Sequence, residues 1–191
     1  SNELSREVVH KLRGRVDAVI VGRGTAEKDD RLLTARPPGP RTATRVVVDS
    51  RGGLSLDSQL VQTARESPVL IAVGPAAPTE KVTKLAAAGC GVLRCQSEDR
   101  RERWDELLDE LGRRRMTNVL VEGGAELLGS LFDVGGVDEV HAFVAPKIIG
   151  GTGAISPVGG GGNDEMANAL ALSDLEIAQI GDDVYVHGRM R

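Results

Sequence analysis

Aromatic side chains are almost absent from this sequence: they make up 2% of the chain, with one Trp, one Tyr and two Phe. The core must therefore be built from Val, Leu, Ile and Ala. Few rings also leave little material for stacking on nucleic-acid bases. The net charge of −4 disfavours a polyanion or an anionic membrane surface as partner. We therefore expect no nucleic-acid partner.

Cysteine is scarce too, with only Cys90 and Cys95, and they flank a short strand-like stretch. No second Cys pair and no nearby His completes a zinc set, so the sequence predicts no metal site and two thiols in a reducing compartment. No apolar run approaches the roughly 20 residues that cross a bilayer, and no signal-peptide pattern begins the chain. We expect a cytoplasmic protein without a membrane segment.

What the sequence does contain is a regular alternation of apolar runs and amphipathic segments. Continuous apolar runs, typical of strands buried on both faces, occupy residues 17–22, 45–49, 69–74, 91–93 and 118–122. Helical periodicity occupies residues 1–14, 79–88, 102–115 and 125–134. This alternation predicts parallel βαβ units and an α/β fold with a doubly wound, mostly parallel sheet.

The C-terminal part of the chain has a different pattern. Residues 137–145 and 183–190 resemble strands with no clear helix between them, and the Gly-rich segment 150–162 predicts a mobile surface loop. We expect antiparallel C-terminal strands at the sheet edge. At 191 residues the chain fits one domain, 1–191.

The sharpest local motif is a strand that leads through Glu122, Gly123 and Gly124 into a helix. Glycines permit positive φ and close approach of a ligand, and the free N–H groups at a helix start attract phosphate. A simple tight turn explains the motif equally well. Glu122 stands where ligands bind in open α/β sheets. It suits amino groups on a base, although a capping or solvated carboxylate is the alternative.

A second polar segment follows the first strand, from Gly22 to Arg36. Its adjacent acids, Asp29 and Asp30, point in different directions, so polar contacts to a sugar suit them better than a metal. Arg13 and Arg36 bracket the segment and together could clamp a phosphate dianion through two-pronged hydrogen bonds. Taken singly, each is as readily an ordinary surface arginine.

A third strand end carries Ser50 and Arg51. A hydroxyl and a cation just after a strand are one way to hold the 2′-phosphate of NADP. A solvated loop is the alternative for Arg51.

Taken together, these stretches resemble the reductase domain of the bacterial bifunctional riboflavin-biosynthesis deaminase/reductase, and more broadly the dihydrofolate-reductase-like fold. The resemblance rests on joint order and spacing. The matching stretches are residues 17–22, 29–36, 47–50, 120–125, 137–140 and 145–151.

The resemblance implies NADPH-dependent reduction of the ribosyl group of 5-amino-6-(5-phosphoribosylamino)uracil to ribityl, in a homodimer. It implies that Arg13, Leu33, Arg36 and Glu122 hold this phosphoribosylaminopyrimidine substrate. It also implies that the following residues line the NADPH site: Thr25, Asp29, Ser50, Gly124, Ala125, Glu126, Leu127, Leu128, Gly129 and Ser130. The protein's part would be to align donor and acceptor carbons and to exclude water. The proton donor is left unassigned.

Three departures from the family pattern accompany the resemblance. Arg31 stands where the family has Pro after its two acids, and no deaminase signature of the His-x-Glu and Pro-Cys-x-x-Cys type occurs. The family's earlier strand and substrate-facing loop would lie before Ser1, so we expect either that the chain is a fragment or that this segment is absent. Two alternatives stay open: a reductase acting on the 2,5-diamino-6-ribosylaminopyrimidinone phosphate analogue, and a nucleotide-binding module without catalysis.

Overall fold

A five-stranded, fully parallel sheet forms the centre of the protein, as a computed structural model of residues 1–29, 32–151, 153–154 and 156–191 describes it. The strands are β1 (Ala18–Gly22), β2 (Thr44–Val48), β3 (Val69–Val73), β4 (Gly91–Arg94) and β5 (Val119–Val121). They lie in the order β4-β3-β2-β1-β5. Because all five run parallel, their carboxyl ends meet at one edge of the sheet.

Both faces of this sheet are buried. In β1, Val19 and Val21 pack into one apolar cluster, whereas Ala18 and Ile20 pack into a second cluster on the other side. All four side chains are fully inaccessible to solvent. This two-sided burial is the physical reason why the strands appear in the sequence as continuous apolar runs.

Helices cover the two faces. The covering helices are α2 (Arg23–Asp29), α3 (Gln59–Gln62), α4 (Thr79–Ala87), α5 (Arg100–Arg113) and α6 (Ala125–Asp133), and α1 (Glu3–Arg13) precedes β1. Leu60 of α3 and Leu85 of α4 join the first cluster, whereas Leu111 of α5 and Leu131 of α6 join the second. The predicted doubly wound α/β fold is confirmed.

The C-terminal strands pair with one another in a second, antiparallel sheet. It contains β6 (Glu139–Val144), β7 (Leu172–Ile180) and β8 (Asp183–Met190) in the order β6-β8-β7. The sequence predicted β6 and β8 as antiparallel edge strands but missed β7, most of which is exposed. A single 3₁₀ turn, Met166–Asn168, precedes β7.

Two segments have more structure than the sequence indicated. The polar segment after β1 begins with α2, in which Ala26 is buried and 3% exposed. The end of the Gly-rich segment is tied to α6: the Gly159 N–H donates to the Ala125 carbonyl at 2.8 Å, and the Gly161 N–H donates to Asp133 Oδ2 at 2.9 Å. Among the described residues, no helix is both long and apolar enough to span a membrane.

Candidate nucleotide and substrate site

A cavity of about 710 Å³ opens at the carboxyl edge of the parallel sheet. Every strand of the sheet contributes the residues at or just after its end. The described lining residues are Gly22, Arg23, Gly24, Thr25, Lys28, Val48, Ser50, Ala72, Val73, Gly74, Cys95, Arg100, Arg103, Trp104, Leu107, Gly123, Gly124, Ala125, Glu126, Leu127 and Ser130. Its position and volume suit a small-molecule ligand.

The wall nearest β5 is the turn Gly123–Gly124 followed by α6. Both glycines have positive φ, 67° and 92°, which side chains rarely tolerate. A Cβ at Gly124 would also lie 3.2 Å from Thr25 Oγ1. No side chain caps the start of α6, and Ala125 and Glu126 line the cavity. The backbone N–H groups at this helix start are therefore suited to bind a phosphate.

Two cations from the first turn of α5 also line the large cavity. Arg100 begins this helix and Arg103 lies three residues later. Neither residue was predicted from the sequence, although basic residues at a helix start are unusual, because acids are preferred there, and could have indicated an anion site. Arg51, the cation that the sequence suggested, is exposed and is not among the described residues lining the cavity.

The floor between α5 and α6 is fixed by a buried hydrogen-bond chain. Trp104 Nε1 donates to Ser130 Oγ at 3.0 Å, and Ser130 Oγ donates to the Leu127 carbonyl at 2.8 Å. The Ser130 hydroxyl is therefore already engaged. Cys95 also lines the cavity, and burial raises the pKa of its thiol. This keeps the group neutral and makes it a weak nucleophile.

A smaller cavity of about 210 Å³ adjoins the first. Its described lining residues are Arg13, Val21, Thr25, Ala26, Leu33, Glu122 and Gly123. Thr25 and Gly123 line both cavities. Two ligands bound in these neighbouring spaces would therefore meet near these residues.

Arg13 and Glu122 form a two-pronged ion pair in the small cavity. Arg13 Nε donates to Glu122 Oε1 at 2.6 Å, and Nη2 donates to Oε2 at 2.5 Å. Their side chains are 7% and 19% exposed. Because the two residues are 109 positions apart, the sequence could not have predicted this pair. The third guanidinium nitrogen of Arg13, Nη1, donates to the Thr34 carbonyl at 3.4 Å.

The structure brings most of the predicted site residues together. In the large cavity lie Thr25, Ser50, Gly124, Ala125, Glu126, Leu127 and Ser130, and in the small cavity Arg13, Leu33 and Glu122. Three others are not among the described lining residues: Arg36, Leu128 and Gly129. The side chain of Asp29 lies outside the described residues, as do Asp30 and Arg31.

Gly129 has a packing reason to be glycine. A Cβ there would lie 2.1 Å from the Gly159 carbonyl carbon, so only glycine lets α6 approach the Gly-rich segment. Arg36 is exposed, and no described residue pairs with its guanidinium. It lies three positions after Leu33, which is 5% exposed in the small cavity.

A doubly wound sheet with a helix start suited to a phosphate, beside a second pocket that holds an arginine–glutamate pair, is an arrangement typical of nucleotide-binding α/β domains. The RibD C-terminal domain family model matches residues 1–186. The chain belongs to this family.

Named relatives and a solved structure agree with this membership. Riboflavin biosynthesis protein RibD of Actinobacillus pleuropneumoniae is 34% identical over 184 residues, covering 96% of this chain and 49% of that protein. The 2,5-diamino-6-ribosylamino-4(3H)-pyrimidinone 5′-phosphate reductase of Methanothermobacter thermautotrophicus is 35% identical, covering 97% of this chain and 87% of that protein. Acinetobacter baumannii RibD superposes with a TM-score of 0.82 at 25% identity, over 100% of this chain and 51% of that one. The chain thus spans about half the length of both RibD proteins.

Proposed function

We propose that this chain is an NADPH-dependent reductase that converts the ribosyl group of 5-amino-6-(5-phosphoribosylamino)uracil to ribityl in riboflavin biosynthesis. The observation that carries the proposal is the pair of adjoining cavities that share Thr25 and Gly123. One offers phosphate-binding backbone and the other a polar pocket. Bound there, a hydride donor and its acceptor carbon would be neighbours.

The residues of the large cavity fit a nicotinamide dinucleotide. The N–H groups at the start of α6 suit its pyrophosphate, and Ser50 suits a polar contact to its ribose. When bound, this cofactor supplies the hydride. The chain's own residues bind and orient the cofactor and exclude water, with Trp104 and Leu107 forming an apolar wall.

A preference for NADPH over NADH follows from the cations of α5. Arg100 and Arg103 line the cavity, whereas Arg51 does not, so we assign the 2′-phosphate to the first pair. A charge-assisted hydrogen bond contributes about 1.5–3 kcal/mol, which is about tenfold to a hundredfold in affinity. Calorimetric titration should therefore show tighter binding of NADPH than of NADH, with the difference reduced in Arg100→Ala and kept in Arg51→Ala. Equal affinities of the unaltered protein for both cofactors would refute the preference.

The small cavity would hold the substrate. Glu122 keeps acceptor capacity beyond its two bonds from Arg13, so it can bind amino groups of the pyrimidine. Because Nε and Nη2 of Arg13 donate to Glu122 and Nη1 donates to the Thr34 carbonyl, we assign to Arg13 the orientation of Glu122, with only the second N–H groups of Nη1 and Nη2 left for a phosphate. Arg36, which has no partner among the described residues, becomes the main candidate for the 5′-phosphate.

A second candidate substrate is the 2,5-diamino-pyrimidinone phosphate, favoured by the name of the Methanothermobacter relative, 87% of whose length is matched. Following the fall in NADPH absorbance with each purified pyrimidine separates the two. We expect turnover with the aminouracil to be at least tenfold faster. Faster turnover with the diamino compound would make that compound the substrate and the aminouracil the second candidate. Tight binding of NADPH and of both pyrimidines without turnover would instead support the non-catalytic nucleotide-binding module.

We also infer a cytoplasmic homodimer. One face of the antiparallel sheet exposes Val144, Ile177 and Val184, which are 57%, 69% and 44% exposed. Their strands are paired in register, with Val144 opposite Val184 and Ile177 opposite Val186. Exposed apolar sheet surfaces of this kind are commonly covered by a partner.

A further inference from the structure

A cluster of two histidines and a carboxylate lies on the antiparallel sheet, outside both cavities. Glu139 and His141 are two residues apart on β6, so they share a face of the sheet. His187 on β8 is paired in register with His141. This face is the opposite of the one that carries Val144 and Val184, because neighbouring strand positions alternate between faces.

The possible ligand atoms of these three side chains converge. His187 Nε2 and Glu139 Oε1 are hydrogen-bonded, and His141 Nε2 lies 3.2 Å from the same oxygen. One ligand atom from each residue can be chosen so that all lie within 4.8 Å of one another. Imidazole nitrogen with carboxylate oxygen is the ligand set of zinc and neighbouring divalent transition metals.

The Nδ1 atom of each ring faces a polar group. His141 Nδ1 lies 2.7 Å from the Tyr185 hydroxyl, within hydrogen-bond distance, whereas His187 Nδ1 lies 3.6 Å from Glu176 Oε2, which is longer than a hydrogen bond. In metal sites an outer partner accepts a hydrogen bond from Nδ1–H, which keeps the proton there and leaves the Nε2 lone pair for the ion. His141 thus has the outer support that a metal-binding histidine needs, and both rings direct Nε2 to the same carboxylate oxygen.

Access and rigidity also suit an ion. The two histidine side chains are 19% and 22% exposed and Glu139 is 41% exposed, so an ion could enter from solvent. The ring centroids lie 4.5 Å apart, and the strand pairing holds both rings in place. Three protein ligands leave a coordination position for water.

We propose that Glu139, His141 and His187 bind one divalent ion of the zinc type and thereby cross-link β6 to β8. The sequence predicted no metal site, because the cysteines have no second pair or nearby His, and His187 lies 46 positions from His141. The proposal departs from that prediction and is independent of the proposed reductase activity.

Zinc titration of the chelator-treated full chain tests this proposal. We expect one Zn²⁺ per chain at micromolar or lower concentration, and a rise in Tm on binding. His187→Gln should weaken binding by at least about a hundredfold, and Tyr185→Phe by roughly tenfold, the cost of losing an outer partner. His10→Gln is the matched control, since His10 belongs to α1 and contacts the Thr34 carbonyl, and it should bind like the unaltered protein.

Absence of stoichiometric zinc binding would overturn the proposal, as would affinity unchanged in His187→Gln. If a variant fails to fold, a second measurement on the unaltered protein tests the same proposal. Substoichiometric paramagnetic Co²⁺ should broaden the imidazole NMR signals of His141 and His187 and spare that of His10. Equal broadening of all three, or broadening of His10 alone, would also overturn it.

Discussion

At the scale of single residues, the Arg13–Glu122 pair most changes the interpretation of the sequence. Its two short bonds, 2.6 and 2.5 Å, join α1 to the end of β5 and give the small cavity a fixed carboxylate. The sequence around either residue does not predict this ion pair. The family resemblance implied a substrate contact for both, and the structure places both on the lining of the small cavity.

Arg36 is the residue on which the substrate assignment depends. Arg36→Ala should raise the KM for the phosphorylated pyrimidine by roughly tenfold to a hundredfold, with the Kd for NADPH almost unchanged. Arg36→Lys should restore only part of the loss, since it keeps the charge without the two-pronged geometry. Arg114→Ala, which removes an exposed cation paired with Glu110, should leave both constants unchanged.

If Arg36→Ala weakens cofactor and substrate equally, or changes neither, the division into two pockets is wrong. Steady-state kinetics combined with NADPH titration distinguishes these outcomes. The same comparison on Arg13→Ala should show a higher KM, because Glu122 would lose its orienting partner.

Gly124 gives the reciprocal test. Gly124→Val should reduce NADPH affinity by at least about tenfold, because φ is 92° and a Cβ would meet Thr25 Oγ1 at 3.2 Å. Gly112→Val adds the same bulk where a Cβ meets nothing within 4 Å. It should cost some helix stability and leave NADPH binding intact. Fluorescence of Trp104, which lines the cavity, reports binding, and unchanged affinity in Gly124→Val would contradict the phosphate-binding role of the turn.

At the scale of elements, the sequence predicted the buried strands and the longer helices to within about two residues. Strand β3, for example, was expected at 69–74 and is Val69–Val73. Continuous apolar runs and 3.6-residue periodicity predict strands and helices well where the side chains pack into a core. The same reasoning missed β7, whose residues are mostly exposed, and α2, which buries only Ala26 fully among its described side chains.

Helix α5 should contribute to stability through one face only. Leu111 is 1% exposed and Leu108 is 36% exposed. Leu111→Ala should lower the free energy of unfolding by about 2–5 kcal/mol, whereas Leu108→Ala should lower it by no more than about 1 kcal/mol. Urea denaturation measures both. Equal losses would mean that α5 packs differently on the sheet.

At the scale of the whole molecule, the two sheets are connected through the start of the chain. Asp183, at the first position of β8, accepts hydrogen bonds from the Asn2 N–H at 2.7 Å and from Ser5 Oγ at 2.6 Å. Asn2 is also the cap of α1, accepting from the Ser5 N–H. The sequence could not predict the partner of Asn2, which lies 181 positions away, since long-range pairing leaves no local pattern.

If the protein is a homodimer, its particles in solution should have one defined mass. Light scattering across micromolar concentrations should give twice the chain mass of 20.2 kDa. Ile177→Lys should give a monomer, because it buries a charge in the apolar face. Met166→Lys, at a side chain 90% exposed on the 3₁₀ turn, is the control and should stay dimeric. A monomeric unaltered protein would refute the dimer.

We propose that NADPH, bound in the large cavity, transfers a hydride to the sugar of a phosphoribosylaminopyrimidine bound in the small cavity. The most direct measurement supplies NADPH deuterated on the transferred position of the nicotinamide, together with the aminouracil substrate, and analyses the product by mass spectrometry and NMR. We expect a ribitylamino product with one deuterium on the former anomeric carbon. A product without deuterium, or no product although both ligands bind, would contradict it.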